Sequence, residues 1–277
     1  MDVPEIFDRR LRRLRRDRAA RDFAAADFLH RYMLEGIAER VDAVTRSFSD
    51  VLDLGCHDAA FVAPPGARIV RADAGFAFAH AAGGVQCDED RLPFADGSFD
   101  LVVSVGVLDQ VADLPGALAL IRRVLRPDGL FLGAFVGGGT LGTLRAAMLA
   151  GDPDRAAPRV HPMVAVRTAG DLLVRAGFAL PVADTETLSV RYSGVDSLIR
   201  DLRGMGAASL LADRAPLSRA AAGGAAAAFA GRANADGRTT ERFEVVTLTG
   251  WAPAPDQPQP ARRGSATASL AQALRRD

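Results

Sequence analysis

The chain has 277 residues, a formal net charge of +0 and a hydrophobic content of 49%. That much apolar material buries a core and excludes a disordered chain, while the balanced charge excludes a molecule drawn as a whole to nucleic acid or a membrane surface. The length suits one elaborated α/β domain. All 34 basic residues are arginine, and they crowd one region: Arg9, Arg10, Arg12, Arg13, Arg15, Arg16, Arg18 and Arg21. Cys56 and Cys87 have no metal-ligand spacing and suggest no disulfide framework, which fits a reducing compartment. No run approaches the ~18 apolar residues of a membrane span. Asp8, Asp17 and Asp22 interrupt the Arg-rich stretch and argue against an organellar leader, so the expected location is cytoplasmic.

Residues 5–46 are predicted helical, because Ile6, Leu11, Leu14, Phe23, Leu29, Met33, Ile37 and Val41 recur mostly at steps of three and four. From Ser49 the pattern changes. Val51-Leu52-Asp53-Leu54 is a short apolar run entering a turn at Gly55, as a buried parallel strand does. Residues 67–72 form a second strand ending at Asp73, and residues 85–87 a brief third before Asp88-Glu89-Asp90. Residues 99–104 are a fourth strand, residues 114–125 an amphipathic helix, and Arg126-Pro127-Asp128-Gly129 a turn into a fifth strand over 130–135. A helix is expected from Gly139 to about residue 149, a polar loop over 151–159, and a helix over 168–177 that stops at a glycine. A strand over 180–192, helices over 195–203 and 213–230, and a strand over 243–251 complete the pattern. The Pro- and Arg-rich stretch from Ala252 reads as a mobile tail.

Strands separated by helices imply right-handed crossovers and a largely parallel sheet covered on both faces. Ligands of such sheets lie beyond the carboxyl ends of the strands, where the strand order reverses. Asp53 and Gly55 sit at the end of the first strand. Asp73 follows the second strand 20 positions later, the offset of an acid that takes ribose hydroxyls. Asp88 and Glu89 follow the third strand, and Ser104 closes the fourth. Each residue alone has a plain structural account: Asp53 as a helix cap, Asp73 and Asp88 as strand-end loop acids. Their joint spacing points to a nucleoside site.

The stretch Leu92-Pro93-Phe94-Ala95-Asp96-Gly97-Ser98-Phe99-Asp100-Leu101-Val102 resembles the LPF-x-D-x-SFDLV run of class I methyltransferases. That resemblance implies a Rossmann-like α/β methyltransferase fold: a seven-stranded, mostly parallel sheet with an antiparallel last strand and a helical N-terminal extension. It implies S-adenosylmethionine (SAM) as cofactor, with Asp53, Gly55, His57, Asp73, Asp88, Glu89 and Ser104 as its candidate contacts. The expected organisation is residues 1–46 as extension, 47–251 as the domain with helical insertions at about 139–165 and 194–231, and 252–277 as tail.

Nearly the whole chain, about residues 5–270, is similar to the family of a mitochondrial complex I assembly factor described as an arginine hydroxylase. The similarity is carried by Ile6-Phe7-Asp8-Arg9, Arg16-Asp17-Arg18-Ala19-Ala20, Leu125-Arg126-Pro127-Asp128-Gly129, Gly137-Gly138-Gly139-Thr140-Leu141 with Arg145, His161-Pro162, Asp201-Leu202-Arg203-Gly204-Met205-Gly206 and Arg263-Gly264-Ser265-Ala266-Thr267. It implies a protein that acts on, or chaperones, a newly made respiratory complex I subunit, the family's target being an arginine of a subunit that carries an iron–sulfur cluster. Biotin-synthesis methyltransferases share the central motifs but are less similar in the flanks.

The chain departs from the family at several points. The glycine-rich turn acid-x-Gly-x-Gly-x-Gly carries His57 and Ala59 at its second and third glycines; His57 reads as drift or a pocket plug rather than a catalyst. Asp109-Gln110 replaces a His-Trp pair where substrate meets cofactor, and Gly139 replaces an acid. Asp109, Tyr192 and His161 are the candidate catalytic groups. A non-haem iron site wants two His and a carboxylate; the only histidines are His30, His57, His80 and His161, and no metal is expected. The Arg-rich helix reads either as a solvated face or as a dock for an acidic protein or anionic membrane. Three functions are therefore expected in turn: a SAM-dependent enzyme modifying a complex I arginine, a non-catalytic assembly chaperone with a degenerate site, and an O-methyltransferase of a small acid or acyl carrier.

Overall fold

The computed structural model describes residues 5–152, 157–255 and 257. Its strands are β1 (Asp50–Leu54), β2 (Arg68–Asp73), β3 (Val85–Gln86), β4 (Phe99–Val105), β5 (Leu125–Val136), β6 (Ala179–Tyr192) and β7 (Thr239–Trp251). They form one seven-stranded sheet of order β3-β2-β1-β4-β5-β7-β6. Neighbours pair in parallel except at β7, which runs antiparallel to β5 and β6. Strand order reverses between β1 and β4, which opens a crevice at their carboxyl ends.

Alternation along the strands divides the core in two. Val51, Leu101, Val103, Leu130 and Leu132 face a layer that contains α2 (Phe28–Asp42), α5 (Gly142–Gly151), α7 (Val195–Gly204) and α8 (Arg219–Ala230), with Ile37, Leu144, Leu198 and Phe229 in the same cluster. Leu52, Val102 and Phe131 face α4 (Leu114–Val124) and α6 (Val166–Arg175) through Leu118, Ile121 and Leu173. Asp113 caps α4 by accepting from the Gly116 amide at 2.9 Å, and α6 gives way to Gly177 at φ +84°, the left-handed stop that its glycine predicts. α1 (Arg9–Ala19) and α3 (Phe76–Ala81) lie together at the β2 end.

The structure shifts several expected boundaries: the helix expected over 5–46 is broken into α1 and α2 around a short 3-10 turn (Phe23–Ala25), and α5 starts at Gly142 rather than Gly139. β5 starts at Leu125 and keeps the Arg-Pro-Asp-Gly bend within the strand. There Asp128, at φ 59°, donates its amide to Ala252, and Ala252 returns a bond to Gly129. α8 starts at Arg219 rather than near residue 213, because the Ser218 hydroxyl accepts from the Ala221 amide at 3.0 Å and sets the N-cap. β7 begins at Thr239 rather than at 243 because Glu241 faces inward. Residues 153–156 of the expected loop and almost all of the expected tail, including residues 263–267, lie outside the described residues.

Glu241 is fully buried and accepts from the Thr143 and Leu144 amides at 3.1 and 2.7 Å, at the start of α5. A carboxylate there satisfies orphan donors and complements the helix dipole. Glu241→Ala is expected to lower the unfolding free energy in urea by about 2–3 kcal/mol; a loss within error would remove the cap from the account of α5.

Candidate functional site

Asp53, Gly55 and His57 stand at the end of β1, Asp73 at the end of β2, and Asp88 and Glu89 just after β3; each acid beyond Asp53 already has a close guanidinium partner. Arg16 is fully buried and forks onto Asp73, with its Nε 2.7 Å from Oδ1 and an Nη 2.5 Å from Oδ2. Asp73 also accepts from the Gly75 amide at 2.7 Å and the His57 amide at 3.2 Å. Arg12, 3% exposed, holds both oxygens of Glu89 at 2.6 and 2.8 Å. Arg13 reaches Asp88 at 2.6 Å, and Arg9 grips Asp90 at 2.5 and 2.7 Å. Arg12 and Arg16 both fork onto a carboxylate, the strongest way a guanidinium holds one.

Helix geometry explains the match. Residues 9, 12, 13 and 16 are three or four apart, so they share one face of α1, and that face meets a run of consecutive acids after β3. Asp8 starts the helix by accepting from the Leu11 amide at 2.9 Å. Asp17 accepts from the Ala77 amide at 2.9 Å at the start of α3. Arg16 also lies 5.2 Å above the Phe78 ring. Arg10, Arg18 and Arg21 remain exposed. The Arg-rich helix thus docks on an acidic surface, and that surface belongs to its own chain. The sequence carried the signal in the helical spacing of these arginines and in Asp88-Glu89-Asp90, but the expected dock for an acidic protein or membrane places the acidic partner outside the chain.

The turn after β1 keeps its first glycine and carries His57 and Ala59 at the places of the other two. Gly55 has φ +80°, and a Cβ there would stand 2.5 Å from Val107, so this glycine is obligatory. His57 and Ala59 take φ 46° and 60°, a conformation costly for residues with a Cβ. The His57 ring stacks on Phe23 at 5.0 Å and lies 4.3 Å from His30. Its Nδ1 lies 2.6 Å from the Gly55 carbonyl oxygen. Burial and the neighbouring Arg16 hold His57 well below the ordinary histidine range. Burial likewise pushes His30 down to about 4 and Asp53 up to about 7. Both cysteines are buried and burial raises their thiols, Cys87 to about 12.

Ser104, next to last in β4, is fully buried with no protein partner for its hydroxyl. Beyond it, a 3-10 turn (Leu108–Gln110) carries Asp109, whose Oδ2 lies 3.8 Å from His161 Nε2. Asp109 borders two small cavities of about 30 and 20 Å³; the first is also lined by His30, His57 and Gln110, the second by His161. Tyr192 is not brought to this place: it is among the lining residues of neither cavity and belongs to the core cluster under α7. Among the described residues no group of three or more His, Cys, Asp or Glu could hold a metal.

Two outcomes test this arrangement. Arg16→Ala strands Asp73 as a buried charge and is expected to cost about 3–5 kcal/mol; a double-mutant cycle with Asp73→Asn measures the coupling, and additivity would refute the pairing. In acid, the unfolded chain protonates His30 below the ordinary 6.5 while the folded chain refuses the proton down to about 4. Stability therefore falls as pH drops through that window, by up to about 3 kcal/mol from this group. Asp53 acts in the opposite sense, since stability is lost as pH rises from the ordinary 3.8 to about 7. His30→Phe should flatten the acid limb of a denaturation series; an unchanged limb would exclude His30 as its source.

The sheet order, the reversal between β1 and β4, and acids at the ends of successive strands define a class I methyltransferase-type domain. Comparison agrees: a family model described as a methyltransferase domain matches residues 52–133. The YcgJ structure from Bacillus subtilis superposes with a TM-score of 0.57 over 81% of this chain and 100% of its own, at 17% identity. Within that class, the chain belongs to the family of the mitochondrial arginine hydroxylase NDUFAF5, whose Danio rerio member is 36% identical over 96% of this chain and 88% of its own length. A malonyl-[acyl-carrier protein] O-methyltransferase from Laribacter hongkongensis is 33% identical over 86% of this chain and 87% of its own length.

Proposed function

We propose that this protein acts on an arginine of a respiratory complex I subunit during assembly, in a cleft whose nucleoside half is a degenerate SAM site closed by its own N-terminal helix. The observation that carries the target is similarity to an arginine hydroxylase along 96% of the chain at 36% identity. Likeness confined to the methyltransferase core would have left the acceptor open. Asp109, Gln110, His30 and His161 are the polar groups at the position where an acceptor would enter, and they can hold it and exchange a proton with it.

SAM does not fit the cleft as arranged. The ribose-type acid Asp73 has its oxygens engaged by Arg16, Gly75 and His57. The acids after β3 are engaged by Arg9, Arg12 and Arg13. The His57 ring, packed against Phe23 and His30, stands where the family turn has glycine. A nucleoside would have to displace α1 and leave buried guanidinium and carboxylate groups to find new partners.

This closed cleft favours one second reading, an assembly chaperone that binds the subunit without modifying it. Mass spectrometry of complex I subunits from cells with and without the protein separates the two. An arginine mass increase that disappears on deletion is expected; intact complex I carrying no such arginine change would leave only the chaperone. The cofactor claim has its own check in thermal denaturation with millimolar SAM. No shift is expected for the natural chain, whereas a ligand at a hundredfold excess over its Kd would stabilise by about 2.7 kcal/mol. A shift of that size would mean that α1 yields to the cofactor.

A further inference from the structure

We infer that Asp109 and Gln110 form a guanidinium-binding subsite that receives the target arginine side chain, an inference that rests on the arginine reading above. Asp109 is 5% exposed and Gln110 2% exposed. Neither carboxylate oxygen of Asp109 and not the amide oxygen of Gln110 has a protein hydrogen-bond partner, and both residues line the same cavity of about 30 Å³. His161, at 3.8 Å, is too far to donate a normal hydrogen bond to Asp109.

The contrast with other buried acids is informative. Asp73 and Glu89 are forked by arginines, and Glu241 takes three backbone amides. A carboxylate left without donors in a dry interior is costly, so Asp109 marks a place where a donor is to arrive. The ligand must be rich in donors, because Asp109 and Gln110 present three unpaired acceptor oxygens, and the unpaired ring nitrogens of His30 and His161 beside the cavities can serve as acceptors too. A guanidinium has five N–H donors in a planar fork and no acceptor. A carboxylate takes two of them side by side, as Glu89 and Asp73 do with the chain's own arginines.

The route inward is on the same side. A surface groove of about 700 Å³, lined by Met148, Val160, Pro162, Met163 and Leu211 among others, is large enough for an extended peptide segment. Met163 lines both this groove and the inner cavity of about 20 Å³ that Asp109 and His161 border. Each inner cavity is no larger than the ~30 Å³ share of one water. A guanidinium therefore enters by moving the unbranched, adaptable side chains of Met33, Met163 and Met205.

The test uses the full chain and butylguanidinium at low millimolar concentration, with butylurea as the neutral shape control. Butylguanidinium should raise the melting temperature and butylurea should not. Asp109→Asn, which keeps the shape and removes the charge, should fold at least as well as the natural chain and weaken the probe tenfold or more. No stabilisation by butylguanidinium, or equal stabilisation of Asp109→Asn, would overturn the subsite. In cells, deletion strains complemented with the natural gene or with Asp109→Asn separate the two layers of argument. An arginine mass increase restored by the natural gene and not by the variant supports the subsite. Full restoration by the variant removes it while sparing the arginine reading, and no increase even with the natural gene removes the reading itself.

Discussion

The buried pair of Arg16 and Asp73 is the constraint on which the architecture of the cleft turns. Asp73 stands at the carboxyl end of β2, where the fold presents an acid to a ligand. In this chain the ligand is a guanidinium delivered by α1. Two fully buried charges in such close contact tolerate little rearrangement, because separating them leaves each unsolvated. Around them the other contacts fall into place: His57 packs beside the guanidinium, Phe78 lies under it, and Asp17 of the same helix caps α3. The neutrality of the chain as a whole has a structural counterpart here, since four of the eight arginines that look like a basic patch are spent on Asp73, Asp88, Glu89 and Asp90.

The fold and the cofactor half of the site have been held to different standards. The sheet needs apolar alternation, and Leu52, Val102 and Phe131 supply it with full burial. The turn after β1 needs a particular backbone path, and His57 and Ala59 follow that path even though glycine would do so with less strain. Neighbours compensate: the ring of His57 gains Phe23 and His30 as packing partners in space that a glycine would have left to a ligand. The turn thus keeps its backbone path with side chains at two of the positions where glycine is usual.

Much of this was legible in the amino-acid order. Strand positions followed from short apolar runs ending in acids, and a seven-stranded sheet with an antiparallel last strand was what the methyltransferase resemblance of the run between Leu92 and Val102 implied. His57 could be read as a plug from its place in the turn. Pairings between distant segments were less visible. Nothing local in Arg12 says that Glu89 will be its partner, since the contact spans 77 residues, and a polar Glu241 inside an alternating strand looks like a strand boundary until α5 is seen to start against it. Tyr192 ends β6, the edge strand beyond β7, and packs in the core cluster with Leu198 and Leu202 of α7 instead of lining either cavity beside Asp109.

The separation of α1 from its partners also dictates an order of events. Its arginines contact acids lying 57, 75, 77 and 81 residues further along, so the helix cannot seat until β1, β2 and the turn after β3 have come together. Isolated, an eleven-residue helix crowded with like charges has little reason to persist. Docking of α1 therefore follows the assembly of these strands, and its release would break its own contacts without breaking a strand pairing. Amide exchange in α1 would then run ahead of exchange in β4 and β5.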